Sequence, residues 1–428
     1  MITVLCLLLI FLFLIIFRCP LALAMLISSI AILGIFGDQS LTIIPGRITS
    51  GLDSFPLLAI PLFILAGSLM NMSGLSRRIF RFASSLFGHI KGGLGHVNVV
   101  ASIIFAGMSG TAMADAAGLG QIEIKAMVDE GYDPAASAAV TSASCVIGPI
   151  IPPSVIMIVY AVLSETSVGH LFAGGLIPGL ILGILLMGFI YFGTSLKIYD
   201  FPPKKRATPK EIWASFKAAF FPLLAPVIIL GGILAGVTTP TEAGILGVIY
   251  ALILGLVYKE FTVRQIPRLV FDTVLANGNI MFVISAAYIF SWIITGNDLG
   301  GTLASELQKI TDERWIALLF INLGIFIMGF FIEGIAILII TVPVLVPIAK
   351  TYGIDLVHLG IIVSINAMIG LNTPPVGLAL YVVAGIANVP MFQVFRKVLF
   401  LLIPLLIGLV IITYYEPITL WFPRIIFK

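Results

Sequence analysis

Apolar residues run through this chain in long, nearly uninterrupted blocks, and polar residues collect in the short segments between them. The blocks at 2–17, 20–36, 56–72, 135–163, 171–193, 218–236, 241–258, 278–296, 357–387 and 398–415 approach or exceed the about 20 residues a helix needs to cross a bilayer. Two further apolar stretches are punctuated. The first, 97–124, carries Gly107, Gly110, Asp115, Gly118 and Gly120, and the second, 315–349, carries Gly329, Glu333, Gly334, Pro343 and Pro347. Each is long enough to enter the membrane and turn back, so re-entrant helical hairpins are expected there. Irregular backbone at membrane depth survives only where protein or a watery cavity surrounds it. The segments 38–55 and 260–277 mix apolar and charged residues at helical spacing and predict amphipathic helices along the membrane surface.

The cations orient these spans. With the N-terminus outside and each hairpin returning to its own side, 17 of the 23 Lys and Arg fall inside and 6 outside, the asymmetry of the positive-inside rule. Arg18 counts with the inner group and Lys428 with the outer, and both termini face outward from a bacterial-type inner membrane. The basic stretch 196–217 lies inside and divides the chain into segments 1–195 and 218–428.

Composition then settles the solvent. With 60% hydrophobic and 10% charged residues, against about 25% charged in soluble domains, the chain cannot cover a water-facing surface. Its 42 Gly and 24 Pro are tolerated in membrane helices, where neighbouring helices re-satisfy the freed backbone groups. Cys6, Cys19 and Cys145 sit in or beside apolar runs without metal or disulfide spacing and read as small buried hydrophobes. The first 17 residues have no basic start and no small-residue cleavage site, so they are expected to be retained as a span. No phosphate-binding GxxxxGK[ST] motif occurs. His89, His96, His170 and His358 show no ligand spacing, and no nucleophile pairs with a base. An enzyme is not expected, and the energy source is expected to be an ion gradient.

The two segments repeat one another. A shift of 222 residues lays IGPIIPPS (147–154) on IGLNTPPV (369–376) and Gly107 on Gly329. A shift of 220 lays Pro20 on Pro240 and Thr42 on Thr262. Each segment holds five crossings, and an odd number makes the copies run oppositely across the membrane. This predicts an all-α polytopic fold of two inverted repeats, the plan of secondary transporters.

In each repeat a long apolar helix is interrupted by Pro-Pro. Proline removes a donor and displaces the preceding residue from the helix, so 148–153 and 370–375 are expected to unwind near mid-membrane. Unwinding exposes carbonyl oxygens, which suit a hard cation, and helix N-termini, which suit an anion. Asn372 and Thr373 add side-chain oxygens at the second break, and Ser142, Ser144 and Ser154 flank the first. The hairpins offer Ser109, Thr111, Asp115, Glu333 and Thr341. Asp115 and Glu333 are intramembrane acids, expensive unless paired or hydrated; each either serves transport or caps a short helix in its hairpin.

Together, PLFILAGSLMNMSGLSRRI (61–79), GMSGTAMADAAGLG (107–120), IGPIIPPS (147–154), TPTEAG (239–244) and LNTPP (371–375) resemble the large membrane (M, DctM-like) subunit of the tripartite ATP-independent periplasmic (TRAP) transporters, over essentially the whole chain. The resemblance implies sodium-coupled uptake of an organic anion, sialic acid or a C4-dicarboxylate. It also implies a periplasmic substrate-binding protein and a separate small four-helix membrane subunit as partners. The motion it implies is an elevator, with a core of about 83–193 and 300–428 sliding against a scaffold. One Na+ is then expected between Ser109–Gly110 and Cys145, Gly148 and Pro149. Another is expected between Gly329, Ile332 and Gly334 and the break residues Met368, Asn372 and Thr373. The substrate is expected near Ser109, Thr111, Asp115, Ser154, Glu333 and Thr373. A stand-alone sodium/dicarboxylate or sodium/proton carrier of the same hairpin type is the alternative, with a passive channel behind it.

Overall fold

The computed structural model describes residues 2–17, 19–36 and 42–427; Arg18 and Lys428 of the charge tally, and residues 38–41 of the first expected surface helix, lie outside the described residues. All regular structure among the described residues is helical. Seven helices are long and apolar enough to cross a membrane, among them Val168–Ser195, Pro209–Leu234, Pro240–Val257 and Met391–Tyr414. Several others are shorter because the chain breaks them. The expected crossing 135–163 is two helices, Pro134–Ser144 and Val155–Ser164, and 357–387 is Leu356–Gly370 and Leu378–Ala387. Both interruptions fall at the Pro-Pro pairs.

The repeat is visible in the helix starts. Gly93, Pro134, Val155 and Val168 open helices in the first half, and Arg314, Leu356, Leu378 and Met391 open their counterparts in the second. The broken helices even share a cap. Asp133 accepts from the Ala136 N–H at 3.1 Å and Asp355 from the Val357 N–H at 2.8 Å, each satisfying a donor that a helix start leaves unpaired.

One pair of counterparts differs. The first half folds as Ile43–Leu52, a short 3-10 turn at Phe55–Leu58, then Ala59–Met72; the second folds as one 31-residue helix, Ile266–Gly296. The surface helix expected over 260–277 is therefore not separate from the crossing that follows. Pro56 interrupts the first copy. Pro267 lies in the opening turn of the second, where its missing N–H costs nothing, and no later proline stops the helix.

Packing sorts the helices into two sets. Leu21–Phe36, Ile43–Leu52, Ala59–Met72, Pro240–Val257 and Ile266–Gly296 pack on one another as a frame, extended by Ile2–Ile16 and Pro209–Leu234. The hairpins and broken helices form an inner set in which the repeats interlock. Pro134–Ser144 packs on Leu378–Ala387 and Met391–Tyr414, and Val155–Ser164 packs on Gly334–Thr351.

The basic linker is fastened to the inner set over its first part. Tyr199 and Phe201 are buried, and Phe201 stacks between the Tyr132 and Tyr199 rings, with centroids 5.1 Å away on each side. The Tyr199 hydroxyl donates to the Lys397 carbonyl and the Tyr132 hydroxyl to the Pro202 carbonyl, both at 2.6 Å. The Lys204 N–H donates to the Gly88 carbonyl at 2.8 Å, and its ammonium pairs with Glu130 at 2.7 Å. Only the short stretch after Lys204 is without such anchors before Thr208 caps the helix Pro209–Leu234 in a reciprocal box with Glu211. Two donations from Thr208, first its backbone N–H and then its hydroxyl, hold the Glu211 carboxyl below the usual glutamate range.

Candidate functional site

The two hairpin tips are built differently and make the same contact. In the first, the helix Gly93–Ser109 ends at Gly110, whose φ of +68° favours glycine. A Cβ there would lie 2.9 Å from the Pro153 carbonyl oxygen, so the tip can approach the break only without a side chain. The Gly110 carbonyl accepts from the Val155 N–H at 3.0 Å. In the second, the helix Arg314–Gly329 ends and the Phe330 carbonyl accepts from the Val376 N–H at 3.2 Å. Each tip is thus sewn by one backbone hydrogen bond to the far side of its own break.

The breaks are joined across the repeats. The Ser142 hydroxyl donates to Asn372 Oδ1 at 2.5 Å, and Asn372 Nδ2 donates back to the Ser142 carbonyl at 2.9 Å. Thr373 donates to the Gly370 carbonyl at 2.8 Å. The Ser154 hydroxyl caps the helix after the first break, accepting from the Met157 N–H at 3.2 Å, and donates to the Pro149 carbonyl. Gly329 and Gly370 pack backbone to backbone: a Cβ on Gly370 would lie 2.7 Å from the Gly329 Cα and 2.9 Å from its carbonyl oxygen.

A cavity of about 650 Å³ opens between the tips, the breaks and the frame, within the size range of small-molecule sites. Of the expected site residues, Gly110, Thr111, Pro149, Ile332, Glu333 and Met368 line it. Ser109, Asp115, Cys145, Gly148, Ser154, Gly329, Gly334, Asn372 and Thr373 do not line it; Ser109, Cys145 and Asn372 are fully buried. Among the described residues the Ser109 hydroxyl has no hydrogen-bond partner, an orphaned oxygen at the tip where the first ion is expected.

The two acids part company. Glu333 caps the helix Gly334–Thr351, accepting from the Ala336 N–H at 3.4 Å, while also lining the cavity. At the first tip the cap is Thr111, which accepts from the Ala114 N–H at 3.1 Å. Asp115 caps no helix start: both its oxygens are buried and, among the described residues, without a hydrogen-bond partner, and its Oδ2 faces Gly148. Glu123 shares that state, fully buried with neither oxygen bonded. The rule that singles out Asp115, an acid within an apolar hairpin, applies equally to Glu123, and the sequence reading passed it over. Beside the pair runs a network it also missed. Asn98 donates to Thr141 and accepts from Ser144, both at 2.7 Å, and Ser102 donates to Ser144 at 3.1 Å. Among the described residues the frame contributes one polar lining residue, Asn279, hidden from the sequence reading at the edge of an expected crossing.

Paired hairpins closing on paired helix breaks around a mid-chain cavity define a class, the polytopic membrane carriers with a duplicated fold. A family model for the "Tripartite ATP-independent periplasmic transporter, DctM component" matches residues 8–418, and the chain belongs to this family. It is 43% identical over 95% of both chains to the sialic acid TRAP transporter large permease protein SiaM of Vibrio cholerae. It is 38% identical to the C4-dicarboxylate large permease protein DctM of Pseudomonas aeruginosa, over 91% of both chains. It is 41% identical to the sialic acid permease protein SiaT of Haemophilus influenzae, of which it spans 62% of the length. Among solved structures, the Alcanivorax borkumensis YdaH transporter superposes with a TM-score of 0.63 at 15% identity, covering 88% of this chain and 87% of that one. That likeness concerns the fold.

Proposed function

We propose that this chain is the membrane-embedded carrier of a sodium-coupled importer for an organic anion, working with a small membrane subunit and a periplasmic binding protein. The observation that carries the reading is the doubled junction of tip and break around one cavity. It gathers backbone carbonyls and hydroxyls, ligands for a hard cation, beside a space for a small solute. The first Na+ belongs at Ser109–Gly110 against Cys145, Gly148 and Pro149, where the unpaired Ser109 hydroxyl is available. The second belongs between Gly329, Ile332 and Gly334 and the residues Met368, Asn372 and Thr373. Asn372 Oδ1 is engaged by Ser142, so its main-chain carbonyl is the group left for an ion. Sialic acid and C4-dicarboxylates, named for the relatives, both carry the carboxylate such a site can take. The frame acts as scaffold and the inner set as the moving core.

Reconstitution tests this directly. Proteoliposomes holding the chain and its small subunit are expected to accumulate sialic acid or succinate only with an inward sodium gradient and a loaded binding protein. Uptake without binding protein favours the stand-alone carrier, and sodium-independent, non-saturating flux favours a channel. Cross-linking Ala59–Met72 of the frame to Val155–Ser164 of the inner set is expected to stop uptake while binding-protein docking persists. Full activity after complete cross-linking excludes the sliding core.

Orientation is tested separately. A cysteine placed beside Lys205 is expected to stay unlabelled by a membrane-impermeant thiol reagent in intact cells, because the linker lies inside. Labelling from outside reverses the topology.

A further inference from the structure

We propose that Asn279 is a substrate-contacting residue, supplying a neutral hydrogen bond to the anion from the frame wall opposite the hairpin tips. The inference rests on the cavity being the substrate site and adds a contact that the hairpins and breaks do not provide.

Asn279 is the fourteenth residue of the 31-residue helix Ile266–Gly296. At 1.5 Å per residue it lies about 20 Å from the helix start, near the middle of a helix long enough to cross a membrane. Its helix neighbours Phe271, Val274, Leu275 and Phe282 are large, apolar and exposed, a face suited to hydrocarbon. A carboxamide at that depth is costly unless it finds a partner. Asn279 is exposed and lines the cavity, and among the described residues its side chain makes no hydrogen bond. The helix does not need it, and no neighbouring helix uses it. What remains is the contents of the cavity.

The chemistry of the other wall says why a neutral donor belongs there. Among the described residues no lysine or arginine lines the cavity, and Glu333 is the one titratable side chain that does. The contacts that these residues can offer a carboxylate ligand are therefore neutral donors. Thr111 accepts a backbone N–H through Oγ1 and keeps its own proton to donate, from the tip side. The Asn279 amide donates from the frame side, and its carbonyl oxygen can accept from a hydroxyl. Donors on both walls and an amide oxygen that can accept suit a carboxylate that also carries hydroxyl groups.

The purified two-subunit carrier tests this when its melting temperature is followed during titration with sialic acid, with succinate and with Na+. For whichever anion stabilises the wild type, Asn279→Leu is expected to raise the half-saturating concentration about tenfold, the loss of one hydrogen bond to a charged group. Asn279→Asp is expected to abolish anion stabilisation by repulsion. In both variants the half-saturating Na+ concentration and the recovery of the small subunit are expected to stay at wild-type values. Unchanged anion half-saturation in both variants overturns the proposal. Loss of the small subunit without a change in anion half-saturation also overturns it, assigning the amide to subunit docking. If neither anion shifts the wild type while Na+ does, the cavity is not their site, and this role for Asn279 falls with that reading.

Discussion

Gly370→Ala is expected to bring uptake below about a tenth of the wild-type rate and to lower the melting temperature clearly. The methyl would sit 2.7 Å from the Gly329 Cα and 2.9 Å from its carbonyl oxygen. Both obstacles are backbone, so no side chain can swing aside, and overpacking of this kind costs about 3 kcal/mol. Relief requires the second hairpin to draw back from the second break, which moves Phe330, Glu333 and the Phe330–Val376 hydrogen bond away from the cavity. Gly324→Ala is the control. It lies in the hairpin helix Arg314–Gly329, five residues before Gly329, with nothing within 4 Å of the added carbon, and its effect is expected within about 0.5 kcal/mol. Uptake by purified Gly370→Ala at the rate of Gly324→Ala contradicts the close approach of the hairpin to the break.

Asn372→Ala is expected to weaken both stability and sodium coupling. It strips the fully buried Ser142 hydroxyl of its acceptor, at about 1–3 kcal/mol for the group left unsatisfied, and takes from the Ser142 carbonyl one donor while the Cys145 thiol remains. Ser142→Ala is expected to cost less, and the double variant little more than Asn372→Ala alone, because the residues form one unit. The clasp ties the first break to the second, so its loss loosens the ground on which the second ion rests. Half-maximal uptake is then expected at a higher Na+ concentration, and Thr373→Val is expected to shift it the same way. If both variants keep the wild-type sodium dependence, the second ion site lies elsewhere.

Much of the fold could be read directly from residue order. Apolar blocks of bilayer length, the paired Pro-Pro interruptions and the Gly-rich turns are covalent facts with local consequences, and the helices at 135–163 and 357–387 do break at the Pro-Pro pairs. The fusion of 260–277 with the next crossing was not legible. An amphipathic start with no terminating residue reads the same whether the helix stops at the surface or continues. Within the site, Thr111 and Glu333 were found because polar groups stand out in apolar hairpins. Both cap a helix and line the cavity, whereas Asp115 does neither; that difference depends on side-chain direction, which sequence does not show, and this made Asp115 look like a lining residue. The Ser142–Asn372 clasp joins positions 230 apart in sequence, and nothing local to either residue announces the other. Asn279 escaped notice for a similar reason: its meaning comes from the wall it faces across an open space.

The fastened linker sets a leash on the inner set. Its rings and hydrogen bonds hold residues up to Lys204 to that set, while Pro209 opens a helix of the frame. Five residue steps separate the two anchors, and fully extended chain reaches at most about 17 Å over that distance. The inner set, held to the linker at Lys204, cannot move beyond that radius from Pro209 unless the aromatic stack of Tyr132, Phe201 and Tyr199 comes apart and frees it from the linker. If the inner set slides as proposed, shortening the 205–208 stretch is expected to restrict its stroke while leaving every proposed ion and substrate residue in place, and lengthening the stretch is expected to release that restriction.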